Sequence, residues 1–157
     1  MPPESNFMSM DQIKKLREIT GARILDCQKA LQEANGDLDK AIAIVEAKGL
    51  ARAEKNQDRE TKVGYIATYT HNTGMVASMV EMLCETDFVA ANEEFRQMAR
   101  DIAMQVAAMG AESVEELLQQ DYIKDPEKTI ELVIKSLSGK IGEKMTLSRF
   151  TRFAIAA

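Results

Sequence analysis

Few residues of this sequence could act as nucleophiles, general bases or metal ligands. It contains one histidine, His71, and two cysteines, Cys27 and Cys84. Catalysis by a serine or cysteine nucleophile needs a nearby histidine, but His71 opens a run, residues 71–74, that is typical of a turn. Cys84 ends an apolar segment, which favours a buried structural thiol over a nucleophile. The two cysteines match no zinc-ligand spacing, so we predict neither a metal site nor a disulfide framework.

The acidic pairs and the glycines have no catalytic pattern either. Glu93-Glu94 and Glu115-Glu116 each follow a helix-capping residue, where carboxylates stabilise the positive end of the helix dipole. The eight glycines form neither a phosphate-binding loop nor a dinucleotide fingerprint. We therefore expect no cofactor and no enzymatic reaction. The residue types alone predict a protein that works by binding.

The first fifty residues predict three short helices. Ser9 opens a capping box at the start of the first helix, and Gly21 is its predicted end. The second helix is predicted from about Ile24 to residue 34 because apolar residues are spaced for one helical face. Asp37 caps the third helix, which we predict to stop at Gly49. Such a set of helices makes a small bundle.

A charged segment separates this bundle from the rest of the chain. Seven of the eleven residues from Arg52 to Lys62 are charged, and the two signs are mixed. This composition favours an exposed helical linker over a core element. We therefore predict four segments, namely a flexible tail (1–8), a three-helix bundle that serves as a docking domain (9–50), a charged linker (51–62) and an α+β core that serves as a dimerisation domain (63–157).

The apolar period changes after the linker. Val63–Thr70 alternates as a β-strand does, and Met75–Leu83 is an apolar run of strand length, so we predict a hairpin that turns at His71. Asn92 then caps a helix that ends at Gly110. Its predicted buried stripe consists of Phe95, Met98, Ile102, Val106 and Met109.

Three more elements are predicted towards the C-terminus. Ser113 opens a short helix, and Asp125-Pro126 starts another with the proline at its first position. Gly142 ends that helix, and Met145–Phe153 alternates as a third strand that pairs with the hairpin. The predicted fold class is therefore α+β, with an N-terminal three-helix bundle followed by a small three-stranded antiparallel sheet packed with helices.

Composition bounds the partners and the compartment. The 157 residues are 45% hydrophobic and 29% charged, and 25 acidic residues against 20 basic ones give a net charge of −5. Binders of nucleic acids or anionic membranes usually have a basic excess, so we expect neither partner. No apolar run approaches the roughly 20 residues that cross a bilayer. With no visible secretion signal and two free thiols, we expect a cytoplasmic protein.

A series of motifs extends along nearly the whole chain, from about Ser9 to Phe153. The bundle contains Leu16–Ala22, Leu25–Leu31, Asn35-Gly36-Asp37 and the segment from Ala41 to Gly49. The second part contains Val80-Glu81, Cys84–Ala90, Asn92, Phe95, Ile141-Gly142-Glu143 and Arg149-Phe150. In this order the motifs resemble the bacterial elongation factor Ts family. The residues that depart from the family pattern are Arg23, Gln28, Val63 and Leu83.

The resemblance implies a guanine nucleotide exchange factor that promotes GDP release from elongation factor Tu during translation elongation. It implies that the bundle is similar to a ubiquitin-associated fold and docks on the partner's GTP-binding domain. The residues implied in that docking are Arg17, Ile24 and Leu25. The residues implied to enter the partner and disturb its magnesium and phosphate site are Thr86, Asp87, Phe88 and Val89.

Residue statistics alone favour different roles for some of these side chains. A phenylalanine after a strand is more often buried in its own core, and Arg17 would ordinarily lie on a solvated face. Ile24 and Leu25 are adjacent in a helix, so both cannot easily point inward and at least one should be exposed. The alternative function is therefore a non-catalytic adaptor whose bundle binds another protein.

The family resemblance also bears on the oligomeric state. Longer family members carry a second copy of the core, whereas this sequence has one. Short members form homodimers. The resemblance therefore implies a symmetric homodimer formed through the core domain.

Overall fold

In the residues that the structure describes, the protein combines helices with two small antiparallel sheets. The computed structural model describes residues 9–156, so the predicted tail at residues 1–8 lies outside the described residues. The elements in chain order are α1 (Met10–Thr20), α2 (Ile24–Glu33), α3 (Leu38–Lys55), β1 (Val63–Thr70), β2 (Val76–Cys84), α4 (Asp87–Ala90), α5 (Glu93–Met109), α6 (Val114–Gln119), β3 (Asp121–Tyr122), β4 (Asp125–Thr129), α7 (Ile130–Ile141) and β5 (Thr146–Ala154). The predicted α+β class is confirmed.

Helices α1 to α3 form the predicted N-terminal bundle. The Ser9 hydroxyl accepts from the Gln12 amide at 3.2 Å, and the Asp37 carboxylate caps α3 in the same way. Gly21 ends α1 with a left-handed backbone (φ 66°), a conformation that favours glycine. The buried side chains of the bundle form one cluster of Ile13, Leu16, Cys27, Ala30, Leu31, Ala34 and Ala41. The predicted helix starts and buried faces are therefore confirmed.

Helix α3 is longer than predicted. Gly49 does not end it, and the helix continues to Lys55. Ala53 and Asn56 are buried, so the segment after residue 50 is not exposed throughout as predicted. The physical reason is tertiary, because this half of α3 packs against α7 of the second unit. The contact outweighs the cost of about 1 kcal/mol that a glycine imposes inside a helix. The predicted division into four segments stays a prediction.

The predicted hairpin and third strand form one antiparallel sheet in the order β1-β2-β5. One face carries Ala67, Val80 and Met82, and α5 covers it with buried side chains such as Phe95 and Ile102. The opposite face carries exposed apolar side chains, among them Ile66, Met79 and Phe153. The open face thus combines exposed apolar side chains with an ion pair between Arg149 and Glu81 at 3.0 Å, and α5 packs on the other face only.

Two predictions about the α-helical part are wrong. Asp125-Pro126 does not start a helix, because Asp125–Thr129 is strand β4, which pairs with β3. Helix α7 begins later, and the Thr129 hydroxyl accepts from the Leu132 amide as its cap at 3.2 Å. Met109 is exposed rather than part of the buried stripe, since it occupies the last turn of α5 before Gly110.

Candidate functional site

The chain between β2 and α5 makes a sharp corner, which we call the Phe88 corner (Thr86–Ala90). Its single helical turn, α4, is capped by Thr86, whose hydroxyl accepts from the Val89 amide at 3.4 Å. The Ala90 amide donates to the Thr86 carbonyl at 3.1 Å. These bonds give a short segment a defined backbone where a four-residue helix would not persist alone.

Adjacent residues of this corner have opposite environments. The side chain of Phe88 is 90% exposed, whereas Val89 is 7% exposed and belongs to the core of the α+β unit. Thr86 and Asp87 are exposed. The buried Val89 side chain anchors the turn from below, and the entry of Val89 into a partner stays a prediction. The Phe88 ring is therefore the large apolar group that the corner offers to solvent.

A carboxylate from a distant part of the chain holds the Phe88 corner. One oxygen of Glu143 accepts from the backbone amides of Glu85 and Thr86, both at 3.1 Å. Its other oxygen accepts from the Thr86 hydroxyl at 2.5 Å. Hydrogen bonds to an ionised acceptor are stronger than those between neutral groups. Glu143 therefore fixes the corner where Thr86 enters it.

The same two segments are joined in the reverse direction by Glu85. Its carboxylate accepts from the Lys144 amide at 2.9 Å and from the Arg59 guanidinium at 3.4 Å. Glu85 and Glu143 thus each cap the backbone of the other's segment. Sequence reasoning did not assign either role, because the bonds join residues 57 to 59 positions apart and no local pattern marks such a pair.

Both cysteines are buried, as the sequence predicted for Cys84. Burial raises the pKa of the Cys84 thiol to about 11, with a further rise from the Glu143 carboxylate. The thiol donates to the Thr86 carbonyl at 3.4 Å and so supports the corner as a neutral group. Burial likewise raises the pKa of Cys27. Neither environment favours a reactive thiolate at neutral pH.

A second group of exposed side chains lies on the bundle, and we call it the docking patch (Arg17, Ile24 and Leu25). Arg17 is exposed in the last turn of α1. Ile24 and Leu25, at the start of α2, are 48% and 67% exposed. The prediction that at least one of these two is exposed is therefore confirmed. The docking patch and the Phe88 corner belong to different units, since their supporting cores are separate clusters.

The remaining candidate chemistry is sparse in the described part of the chain. The His71 ring lies at the hairpin turn, 3.2 Å from the Tyr69 hydroxyl. Among residues 9–156, the acidic residues, cysteines and the histidine form no group that could hold a metal ion. No helix in this range combines the length and apolar character that a membrane span requires.

Several known proteins that are similar to this chain belong to one family. Residues 85–157 match the family model described as Elongation factor TS. The elongation factor Ts of Thermotoga sp. (strain RQ2) is 41% identical over 94% of this chain and 96% of its own length. That of Aquifex aeolicus (strain VF5) is 46% identical over 93% of this chain and 52% of its own length, and that of Clostridium kluyveri is 44% identical over 96% and 49%.

Proposed function

The chain belongs to the elongation factor Ts family of translation elongation factors, and from this membership we propose that it releases GDP from elongation factor Tu. It does so by binding and catalyses no covalent step. The nucleotide is released from elongation factor Tu, the GTP-binding partner, in the cytoplasm. The observation that carries this proposal is the exposed Phe88 ring on a corner that its own fold holds in place.

The exposure of Phe88 supports an insertion role. A large aromatic side chain exposed on an ordered segment is typical of an energetic hot spot in a protein interface. Burying a phenylalanine side chain contributes about 1.5–3 kcal/mol. The coupling between two ligands of one protein is typically about 1–3 kcal/mol. If the ring is buried in the partner only when GDP has left, this free energy weakens GDP binding about tenfold to a hundredfold.

The mechanism we propose acts through the partner's magnesium ion. Magnesium requires near-ideal octahedral oxygen geometry, so a small displacement of its ligands weakens the bound nucleotide. Phe88 provides the apolar wedge, and the neighbouring Asp87 carboxylate adds charge and hydrogen-bonding capacity at the tip. By linkage, the factor weakens GDP as much as GDP weakens the factor. The proposed partner states are therefore the GDP-bound and the nucleotide-free forms.

The docking patch supplies the other proposed contact. Ile24 and Leu25 are exposed apolar side chains at the start of one helix, and Arg17 adds a positive charge in the neighbouring helix. Apolar anchors beside an arginine are typical of protein interfaces. We propose that this patch binds the GTP-binding domain of elongation factor Tu. The same observation favours the second candidate function, an adaptor that binds a protein without releasing nucleotide.

We also propose that two copies of the chain associate through the open face of the sheet. Ile66, Met79 and Phe153 are exposed on this face, and Phe153 is 76% exposed. An apolar sheet face is normally packed against another layer. A second copy would supply that layer by pairing the same face with itself in a symmetric dimer.

The decisive experiment measures release of a fluorescent GDP analogue from elongation factor Tu. The wild-type protein should accelerate release, and Phe88→Ala should lose about 10- to 100-fold of that acceleration. Met109→Ala removes another exposed apolar side chain and is the matched control, which should act as wild type. Thermal unfolding should be the same for all three proteins.

The outcomes separate the candidate functions. Full acceleration by Phe88→Ala would contradict the insertion role. Stable capture of elongation factor Tu without any change in GDP release would favour the adaptor. Capture that weakens with Leu25→Ala, together with accelerated release, would support docking by the bundle and exchange by the corner.

A further inference from the structure

The bundle and the α+β unit meet where α3 crosses α7. The two helix backbones come into close contact at Gly49 of α3 and Gly139 of α7. A Cβ atom added to Gly139 would overlap the Gly49 carbonyl oxygen, whereas one added to Gly49 would lie an ordinary 3.7 Å from the Gly139 carbonyl carbon. The crossing therefore requires glycine at position 139 of α7, whereas position 49 of α3 has room for a Cβ atom.

Arg52 of α3 makes polar contacts with both units at this crossing. Arg52 donates to the Gly139 carbonyl at 3.0 Å and forms an ion pair with Asp26 of α2 at 3.3 Å. The Gly139 carbonyl lies in the last turn of α7, where helix carbonyls lack partners within the helix. Arg52 therefore satisfies an acceptor of one unit while it is bonded to the other. A second ion pair, Lys135 with Glu54 at 2.8 Å, also joins α7 to α3.

Part of this boundary is not filled by side chains. Beside the crossing lies a cleft of about 440 Å³ that both units line. Its apolar lining includes Ile19, Val45, Leu50, Leu132, Val133 and Leu137. Because side chains do not fill this space, close packing does not fix the angle between the units here. The helix crossing and its polar contacts therefore contribute to the angle between the units, together with the bonds that residues 57–62 make to the α+β unit.

We propose that Gly139 and Arg52 are positioning residues that hold the docking patch at a fixed distance from Phe88. The inference rests on the proposed function, since it concerns how one molecule of elongation factor Tu meets both surfaces. Two surfaces on one rigid body bind with a high effective concentration for the second contact. Displacement of α3 from α7 removes this advantage while each surface keeps its own side chains.

The test compares Gly139→Ala with Gly49→Ala in the full chain. Both replace a helical glycine by alanine and gain similar helix propensity, so they differ in the overlap at the crossing. Gly139→Ala should raise the concentration of factor that gives half-maximal GDP release at least about tenfold. The release rate at saturation should stay within about twofold, because Phe88 is untouched. Gly49→Ala should behave as wild type.

A merely structural role for Gly139 predicts something else. General destabilisation would lower the folded fraction, which raises the apparent half-maximal concentration and leaves the saturated rate unchanged. The folded fraction of each variant is therefore measured by circular dichroism, and the half-maximal concentration is expressed per folded protein. A value for Gly139→Ala that equals wild type after this correction would overturn the proposal. Leu25→Ala adds a second criterion. It should raise the half-maximal concentration in wild type and have little further effect in Gly139→Ala, since the patch is already uncoupled. Additive effects of the two substitutions would contradict the proposal.

Arg52→Ala covers the case in which Gly139→Ala does not fold. It removes the bridge to the Gly139 carbonyl without an overlap and should raise the half-maximal concentration in the same direction. An unchanged value in a folded Arg52→Ala would overturn the role of Arg52 and, if Gly139→Ala is unfolded, the proposal as a whole.

A distance measurement separates this proposal from the proposed function. Spin labels at Lys29→Cys on α2 and Glu127→Cys on β4 occupy exposed positions of the two units, and both native cysteines are fully buried. Gly139→Ala should shift or broaden the distance distribution, and Gly49→Ala should not. An unchanged distribution would overturn the proposal even if wild type releases GDP. The expected shift without any GDP release would refute the exchange function alone.

Discussion

At the scale of single residues, two adjacent residues of the Phe88 corner have different structural roles. Val89 is buried and anchors the turn, whereas the adjacent Phe88 is exposed. Apolar character alone does not distinguish the two, because both residue types are common in cores. Their separation depends on the orientation of one helical turn, which Thr86 and Glu143 set through hydrogen bonds.

Removing the charge of Glu143 should loosen this corner. In Glu143→Gln a neutral amide oxygen replaces the charged acceptor of the Glu85 and Thr86 amides, and an NH2 group replaces the acceptor of the Thr86 hydroxyl, so the charge-assisted bonds are lost. We expect a loss of about 1–3 kcal/mol in the free energy of unfolding and faster hydrogen exchange at these two amides. Urea unfolding and amide exchange measure both effects. Glu127→Gln, at an exposed position, is the control and should change neither.

The buried thiol of Cys84 predicts a pH dependence. Its pKa is about 11 in the folded protein against an ordinary value of 9, so between these values the unfolded chain loses the proton first. Stability from this group is thus complete below pH 9 and is lost as the pH rises towards 11. Denaturant unfolding between pH 8 and 11 should show a shallower alkaline loss for Cys84→Ala than for wild type. Equal slopes would contradict this origin.

At the scale of elements, capping side chains decide where the helices begin. Asn92 accepts from the Phe95 amide at 3.1 Å and opens α5, the helix that covers the sheet. Asn92→Ala should lower the free energy of unfolding by about 1 kcal/mol. Asn92→Ser keeps an oxygen at the cap and should recover most of that loss. Urea unfolding of the three proteins tests this prediction, and equal destabilisation by both substitutions would rule out capping as the cause.

The elements also show the limit of local signals. The sequence pattern correctly predicted the starts of α1, α3, α5 and α6, because a capping side chain bonds to an amide three residues away. It predicted a helix from Asp125, but pairing with Asp121-Tyr122 makes this segment a strand. Pro126 is compatible with both structures, since its fixed φ suits a first helical turn and an extended chain alike.

At the scale of the whole molecule, the open sheet face predicts the oligomeric state. Phe153→Glu introduces a charge into the proposed dimer surface and should give a monomer at concentrations where wild type is a dimer. Met109→Glu changes an exposed apolar residue at the end of α5 and should leave the dimer intact. Sedimentation equilibrium over a range of protein concentrations measures the masses. A wild-type mass equal to the monomer throughout would contradict the dimer.

The sequence by itself determined what depends on residues close together in the chain. Helix caps, the alternation of Tyr65, Ala67 and Tyr69, and the turn at His71 each depend on neighbours within a few positions, so their patterns are visible without coordinates. The motifs from Ser9 to Phe153 also led to the correct family. The exposure of Phe88 was a hypothesis of that resemblance, which the residue pattern alone did not favour.

Only the tertiary structure decided the features that depend on distant contacts. The sequence predicts that Gly49 ends a helix. Helix α3 nevertheless continues, because its backbone packs against Gly139, which is ninety positions later in the chain. Glu143 holds a corner that lies 57 residues before it. Such contacts arise when separate elements meet, and their free energy depends on the shape and burial of both partners. The sequence pattern of one segment therefore does not show which distant segment will contact it.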